Sequence, residues 1–414
     1  MTNRLKIILL FLFFNTFAVE LISQTYANDW INYNQTYYRF KVYKDGIYRI
    51  NYSDLLSAGL PVGSISPQNF QIFGRGVEQY IYVKTQISGV MSSGDYIEFY
   101  AQKNDGWYDS ILYKHPEYQL DKSYSLFTDT AEYFLTFNTA YNNKRLSLET
   151  SINYTSYTVE PYVFKNIHAN YNDEYLEGLP MEETNEGTLS DPEYTYGEGF
   201  YSYAFYLGGS RSYNISTKNA FTTGPAAQVK FSIYGASNYQ SISNGDHHVR
   251  IQFAGNTIDT IFDGYKILRY NLSTSAASLS STNTNFLFSS INDLNSGADR
   301  NAVSFIEIKY PHTLNFEGIN YFEFSIPDAS QNKNYLNISN FSGGNNPVLY
   351  DLKNHRKILV TKNGSNYQCL IPNSGSEKNC VLVSEALITN GVNLTPVGNF
   401  GHFKNYLSQN PNAD

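Results

Sequence analysis

The clearest pattern in this chain is an alternation of apolar and polar positions with a period of two. Residues 93–113 show it best, because Ile97 and Phe99 would leave one face of a strand while Glu98 leaves the other. An Asp105-Gly106 step follows and predicts a hairpin turn, with the next aromatic residues packed on the face of a sheet. The pattern predicts a half-buried β-strand at the centre of a β domain.

The same period recurs between Gly, Asn and Ser turns and predicts strands at Tyr37–Val42, Ile47–Tyr52, Phe70–Phe73, Gln79–Val83, Tyr96–Tyr100, Glu132–Phe137, Gln228–Tyr234, His247–Phe253, Ser304–Tyr310 and Tyr321–Ile326. Short helices are predicted at Asp54–Ala58, with Ser53 as N-cap and Gly59 at the end, and at Phe400–Leu407. We therefore expect an all-β fold with two antiparallel β-sandwich or jelly-roll-like domains, a small C-terminal β section and few short helices.

Changes in composition along the chain suggest the domain boundaries. The expected division is a signal peptide, an N-terminal β domain, an acidic linker or flap, a β-sandwich domain and a small β section, at residues 1–23, 28–163, 164–199, 200–337 and 338–414.

The first residues have the features of a signal peptide. Arg4 and Lys6 precede the eight-residue apolar run Ile7–Phe14, which is short of the roughly 20 residues that a membrane span requires. Cleavage after Ser23 is favoured over cleavage after Ala27. We expect an exported protein of the periplasm, the outer membrane surface or the extracellular space, with no transmembrane span.

Composition narrows the classes of partner. The 414 residues are 16% aromatic and only 16% charged, with a net charge of −8 and no basic block. Binding to nucleic acid therefore has little electrostatic support.

The acidic stretch holds the weak candidates for a metal site. Glu182, Glu183, Glu186 and Asp191 offer the oxygen ligands that calcium prefers, but their spacing fits no EF-hand loop. A solvated linker or interdomain flap is therefore favoured and no cofactor is expected, with calcium as the alternative.

The His247-His248 pair is a poor candidate for a metal site. Neighbouring residues of a strand point to opposite faces, so the two side chains cannot bind one ion together. His247 shares its face with apolar residues and is expected to be a hydrogen-bonded core histidine.

Cys369 and Cys380 are the only cysteines, and they flank the turn sequence IPNSGSEKN. This spacing predicts a hairpin, and in an exported protein it favours a cross-strand disulfide between the two. Two free thiols are the alternative, and a nucleophilic cysteine is a remote third. No residue of this chain is assigned a catalytic role.

Several pieces of sequence, taken in order, carry a family resemblance. They are Trp30-Ile31-Asn32-Tyr33 with Tyr37-Tyr38, Asp45-Gly46-Ile47-Tyr48-Arg49-Ile50, Gln71-Ile72-Phe73-Gly74-Arg75-Gly76, Gly94-Asp95-Tyr96-Ile97-Glu98-Phe99-Tyr100, Asn104-Asp105-Gly106-Trp107, Tyr124-Ser125-Leu126-Phe127, Gly197-Glu198-Gly199, His247-His248 and Tyr350-Asp351-Leu352. Together they resemble the N-terminal, non-catalytic region of the gingipain-type cysteine peptidases of Bacteroidetes, and most closely the PorU-like sortases of the type IX secretion system.

The resemblance implies a parent protein with cysteine peptidase activity. Its His/Cys dyad would lie in an α/β catalytic domain that follows the small β section and is missing from this chain. The β domains would then act as a prodomain, scaffold or docking surface, with that catalytic domain or type IX secretion components as partners. The alternative is a free-standing secreted β-sandwich that binds a cell-surface protein or a glycan.

Overall fold

The fold is built almost entirely from antiparallel β-sheets, as the sequence pattern predicts. A computed structural model describes residues 28–406, except residues 88, 140–141, 185–186 and 240–244. The predicted signal peptide at residues 1–23 lies outside the described residues. Within the described part of the chain, no helix is long and apolar enough to cross a membrane.

The first third of the chain contributes the strands β1 Tyr37–Val42, β2 Gly46–Asn51, β3 Phe70–Gly74, β4 Val77–Glu78, β5 Tyr82–Lys84, β6 Tyr96–Ala101, β7 Ala131–Phe137 and β8 Ser147–Glu149. The middle contributes β9 Val163–Asn170, β10 Glu174–Glu177, β11 Glu182–Thr184, β12 Gly187–Leu189, β13 Glu198–Tyr201, β14 Phe205–Tyr206, β15 Ser210–Ser216, β16 Ala227–Gly235, β17 His247–Phe253, β18 Asn256–Phe262, β19 Lys266–Thr274, β20 Asn283–Ser290 and β21 Arg300–His312. The last part contributes β22 Tyr321–Ile326, β23 Lys333–Ile338, β24 Val348–Asp351, β25 Arg356–Ile358, β26 Thr361–Asn363, β27 Asn366–Pro372, β28 Lys378–Val383 and β29 Thr395–Pro396.

The helical elements are short. They are the α-helix α1 Tyr52–Ser57 and the 3₁₀ turns Pro67–Asn69, Asp109–Leu112, Pro116–Tyr118, Ala276–Ser278 and Glu385–Leu387.

The first sandwich joins the two ends of the described chain. One sheet has the order β29-β1-β7-β3-β4, and the other has the order β2-β6-β5. Apolar side chains from both sheets, such as Phe40, Ile72, Ile97 and Phe99, are buried in one common core. Since β29 comes from residues 395–396 and pairs with β1, this sandwich is not formed by the N-terminal part of the chain alone.

Two further sandwiches share one ten-stranded sheet, in which β14 pairs with β21 and the main order is β19-β16-β21-β9-β22-β28-β24-β25-β8. The β19-β16-β21-β9 part forms the second sandwich with the sheet β15-β20-β17-β18, and Phe231, Ile251 and Phe288 lie in its core. The other part forms the third sandwich with the sheet β23-β27-β26 around Leu336 and Leu382.

The outer faces of the ten-stranded sheet are also covered. Residues 113–126, which we call the strap, leave the first sandwich and pack Leu120 with Tyr201 of β13 and with Ile267 of the second sandwich. Ile47 of β2 packs with Tyr350 of β24 in a separate cluster between the first and third sandwiches. Strand pairing in the shared sheet therefore joins the second and third sandwiches, and apolar contacts connect the first sandwich with them.

Several local elements differ from what the sequence pattern suggests. Residues 164–199, the predicted acidic linker or flap, begin with β9, a strand held between β21 and β22, and go on to form the hairpins β10–β13 and β11–β12. No strand returns after Asp105-Gly106: Trp107 lies in a turn and is 41% exposed instead of packed on a sheet. The domain division at residues 28–163, 200–337 and 338–414 stays a prediction, although the sheets cross those boundaries.

The structure shows the first of the two predicted helices. Helix α1 is present, but its N-cap is Asn51 instead of Ser53, because the Asp54 carboxylate accepts a 2.8 Å hydrogen bond from the Asn51 backbone N–H. Gly59 adopts the expected left-handed conformation after the helix, with φ +80°. The predicted Phe400–Leu407 helix is not formed by residues 400–406, which form a turn and an isolated bridge; Leu407 lies outside the described residues.

Candidate functional site

The two cysteines lie in the core of the third sandwich. Cys369 is in β27 and Cys380 is in β28, and each is less than 2% exposed. The two strands belong to different sheets, so the predicted hairpin was wrong: β27 pairs with β23 and β26, while β28 pairs with β22 and β24. Both cysteines are free thiols in the structure, and the predicted disulfide stays a prediction.

Burial determines the chemistry of these thiols. It raises the pKa of Cys369 to about 12 and also raises the pKa of Cys380. A cysteine nucleophile requires the thiolate form, which a low-polarity environment disfavours. At neutral pH both side chains are therefore protonated and unreactive.

His247 is the hydrogen-bonded core histidine that the sequence predicts. It is fully buried, with Nδ1 2.5 Å from Asp299 Oδ1 and Nε2 2.9 Å from the carbonyl oxygen of Ser237. Its ring stacks on Phe262 with a centroid distance of 4.5 Å. Burial lowers the pKa of His247, but its hydrogen bonds and the nearby carboxylates outweigh this effect and raise it overall.

His248 has a different environment on the opposite side of β17. Its Nδ1 lies 2.9 Å from Asp293 Oδ1, and its Nε2 lies 3.3 Å from Asp259 Oδ1. Arg250 donates to the same Asp259 oxygen at 2.8 Å. Among the described residues no group of three or more His, Cys, Asp or Glu side chains is arranged to hold a metal ion.

The calcium candidates of the acidic stretch are engaged separately. Glu183 accepts hydrogen bonds from Tyr265 at 2.7 Å and from Asn238 at 3.0 Å. Asp191 is paired with Lys114 at 2.5 Å, and Glu182 is exposed. Glu186 lies outside the described residues. Calcium binding stays a prediction, without a ligand set in the part of the chain that the structure describes.

A buried charged cluster, which sequence reasoning missed, joins the first and third sandwiches. Glu98 is 0% exposed. It accepts hydrogen bonds from Arg49 at 2.6 Å and from Lys357 at 2.6 Å, as well as from the Tyr350 hydroxyl. Burial alone would raise the pKa of Glu98, but Lys357, Tyr350 and Arg49 together lower it, so the carboxylate is charged. The only sequence signal was an acidic residue in an otherwise apolar and aromatic strand.

A cleft lies beside the hairpins that the acidic stretch forms. It has a volume of about 270 Å³, and we call it the hairpin cleft. The polar and aromatic residues that line it are Tyr175, Glu177, Thr188, Ser190, Tyr234, Tyr265 and Arg300. Tyr234 and Arg300 come from β16 and β21 on the outer face of the second sandwich, and Tyr175 and Glu177 come from β10.

The chain conformation at Gly197 fixes one wall of the hairpin cleft. Gly197 has φ +81°, and a Cβ atom at this position would lie 2.1 Å from Cε2 of Tyr234. Only glycine lets the backbone lie this close to the tyrosine ring. Tyr234 also stacks on Tyr201 with a centroid distance of 5.6 Å, so the ring is held from two sides.

A second cleft of about 440 Å³ lies in the first sandwich, between β1 and residues 389–395. Arg39 and Lys41 extend from β1 on one side, and Asn390 and Asn393 lie on the other. The Arg39 guanidinium is 3.7 Å from the Glu132 carboxylate, and both side chains are largely exposed. This cleft has a larger volume than the hairpin cleft, and the buried Oγ1 of Thr389 in its lining has no hydrogen-bond partner among the described residues.

Comparison with solved structures supports a fold relationship with a protein of known structure. The structure of dimeric latent PorU from Porphyromonas gingivalis superposes with a TM-score of 0.56 at 15% identity, over 90% of this chain and 34% of that protein. The chain thus has a PorU-like fold and spans about a third of the length of its structural relative.

Structural matches with low TM-scores do not indicate a fold relationship. A β-porphyranase of glycoside hydrolase family 86 from Bacteroides plebeius matches with a TM-score of only 0.20, at 10% identity over 67% of this chain and 35% of that enzyme. No protein-family model and no curated protein sequence matches the chain.

Proposed function

We propose that this chain is the exported, non-catalytic β region of a gingipain-type cysteine peptidase or PorU-like sortase, and that it is the scaffold on which the catalytic domain docks. The observation that carries the proposal is the PorU-like fold over 90% of the chain. That relative is about three times longer than the matched region, which leaves room for a separate catalytic part.

The chemistry of the cysteines supports a non-catalytic role. A cysteine peptidase needs a thiolate with a histidine beside it. Cys369 and Cys380 are instead buried among apolar side chains as protonated thiols. The peptidase chemistry of such a protein would then come from residues outside this region.

The junctions between the sandwiches support a scaffold. The continuous ten-stranded sheet, the Glu98 cluster and the apolar contacts of the strap all oppose relative movement of the three sandwiches. A rigid surface of this kind presents a fixed geometry to a docked domain, which reduces the entropy lost on binding.

The test uses the native protein. Antibodies against residues 28–414 recover it from the exported fraction, with pre-immune serum as the control, and mass spectrometry identifies what is recovered. We expect a gingipain-type catalytic domain in equimolar amount, in the same polypeptide or bound to it. Recovery of a protein no larger than the 47.1 kDa of this sequence, without such a domain, would contradict the proposal.

A second candidate function is a free-standing exported protein that binds a glycan or a cell-surface protein. The hairpin cleft favours it, because tyrosine rings and the Glu177 carboxylate line the same small cavity. The recovery experiment distinguishes the two candidates, since a free-standing binder would be recovered without a catalytic domain.

A further inference from the structure

The cleft between β1 and residues 389–395, which we call the edge cleft, lies where a strand pairing stops. Strand β29 pairs with the first half of β1, up to the pair Arg39–Thr395. Continuing this antiparallel register would place Asn393 opposite Lys41, but the chain before Thr395 leaves β1 and pairs with β2 of the other sheet. The two walls therefore separate, and a cleft of about 440 Å³ opens between them.

The backbone of Lys41 faces the edge cleft. The Tyr37 N–H donates to the Gly401 carbonyl and the Tyr37 carbonyl accepts from the Val397 N–H, both on the β29 side of β1. Every second residue of a strand directs its backbone groups to the same edge, so Arg39 and Lys41 face that side as well. Arg39 pairs there with β29, whereas the Lys41 N–H and C=O have no hydrogen-bond partner among the described residues. Such an open edge is a template for a further strand.

The charge of the edge cleft favours an acidic partner. Arg39, Lys41 and Glu132 give its lining one net positive charge, in a chain whose net charge is −8. Glu132 lies 3.7 Å from Arg39 in an exposed pair, which is a weak interaction, and Lys41 forms no ion pair with a described residue. Both basic side chains are exposed, so a partner can reach them. Carboxylates are the groups that complement this arrangement.

The remaining lining of the edge cleft suits apolar side chains. Val392 is half-buried and packs against the core of the first sandwich, and the exposed ring of Tyr43 also lines the cleft. Successive side chains of a strand point to opposite faces. A strand added beside Lys41 would therefore place every second side chain next to the basic residues and the others towards Val392. This geometry matches a sequence in which acidic and apolar residues alternate.

We propose that the edge cleft binds an extended acidic peptide segment of another chain, which continues the sheet at the point where β29 stops. Its backbone pairs with the N–H and C=O of Lys41, and its carboxylates pair with the side chains of Lys41 and Arg39. The volume of about 440 Å³ lies within the range of roughly 300–1,000 Å³ that is typical of ligand sites. The inference goes beyond the scaffold role, since the cleft would bind the peptide whether or not a catalytic domain is docked.

The test is calorimetric titration of the purified chain with the capped peptide Val-Glu-Val-Glu-Val, at up to about 5 mM, where a millimolar Kd is measurable. We expect this peptide to bind, and the same peptide with lysine in place of glutamate not to bind. N-methylation of its glutamates should abolish binding, because their N–H groups would face β1. N-methylation of the central valine, whose N–H would face away from β1, is the control and should preserve binding.

A pair of variants of the chain locates the site. Lys41→Gln keeps the backbone groups and removes the charge, so it should weaken binding of the glutamate peptide about fivefold, the effect of one lost exposed ion pair. Lys266→Gln is the control, because Lys266 is an exposed lysine of another edge strand, β19, outside the cleft. It should leave the Kd unchanged, and neither variant should lower the melting temperature.

Failure of the glutamate peptide to bind would overturn the proposal, and so would equal binding of the lysine peptide. Equal binding of the form with N-methylated glutamates would also overturn it, because the cleft would then attract anions without pairing to a strand. An unchanged Kd in Lys41→Gln would place the binding site elsewhere and overturn it too.

Discussion

At the scale of single residues, Glu98 shows both the strength and the limit of sequence analysis. The alternation in β6 correctly placed Ile97 and Phe99 in the core of the first sandwich and Glu98 on the other face. That face is covered by the third sandwich, where Tyr350 and Lys357 bind the carboxylate. Periodicity along one strand cannot predict which distant strand will cover it, so the cluster could be found only from the structure.

Glu98→Gln should strongly destabilise the protein. The substitution removes the buried carboxylate that pairs with both Arg49 and Lys357, and removing one partner of a buried ion pair costs about 3–5 kcal/mol. Glu385→Gln is the control, because Glu385 contacts the same Arg49 at 3.4 Å from an exposed position and should cost about 1 kcal/mol or less. Denaturant unfolding measures both, and equal losses of free energy would contradict this account.

At the scale of elements, strands with clean alternation were predicted well, and strands defined by their neighbours were not. The structure confirms the predicted bounds of β1, β17 and β22. It shows β9 where the sequence around Lys165, Asn166 and His168 looks like a linker. The half-buried side chains of this strand have partners elsewhere: Lys165 pairs with Glu317, and His168 contacts Asp121 of the strap. Residues of β9 thus find their partners in segments far away along the chain.

The contact between β9 and the strap predicts a specific pH dependence. His168 lies 2.8 Å from Asp121 of the strap and 3.2 Å from Glu307 of β21. Burial alone would lower the pKa of His168. The hydrogen bonds and charges of these two carboxylates outweigh burial and raise the pKa to about 9. Since this value lies above the unfolded value of about 6.5, the stabilisation is complete below about pH 6.5 and is lost as the pH rises through about 9.

His168→Gln should therefore reduce the fall in unfolding free energy between about pH 6.5 and pH 9. His115→Gln is the control, because His115 has an exposed side chain beside Glu117. Denaturant titrations across this range measure the slope for each protein. A slope in His168→Gln that equals that of the unchanged protein would show that this contact does not couple protonation to folding.

At the scale of the whole molecule, the fold class was predictable and the connection of its parts was not. Short alternating strands and Gly, Asn and Ser turns are sufficient to predict stacked antiparallel sheets. They do not reveal that β29 returns to the first sandwich or that one sheet passes through the second and third sandwiches. The family resemblance predicted more at this scale, because the fold it implied agrees with the PorU-like superposition.

The central claim is that this PorU-like body carries no peptidase chemistry of its own. The most direct measurement is incubation of purified, folded residues 28–414 with casein and with fluorogenic peptides, with and without a thiol reductant and calcium. The account predicts no hydrolysis under any of these conditions, because both cysteines are protonated and buried in the third sandwich. Thiol-dependent turnover that disappears in Cys369→Ala or Cys380→Ala would contradict it.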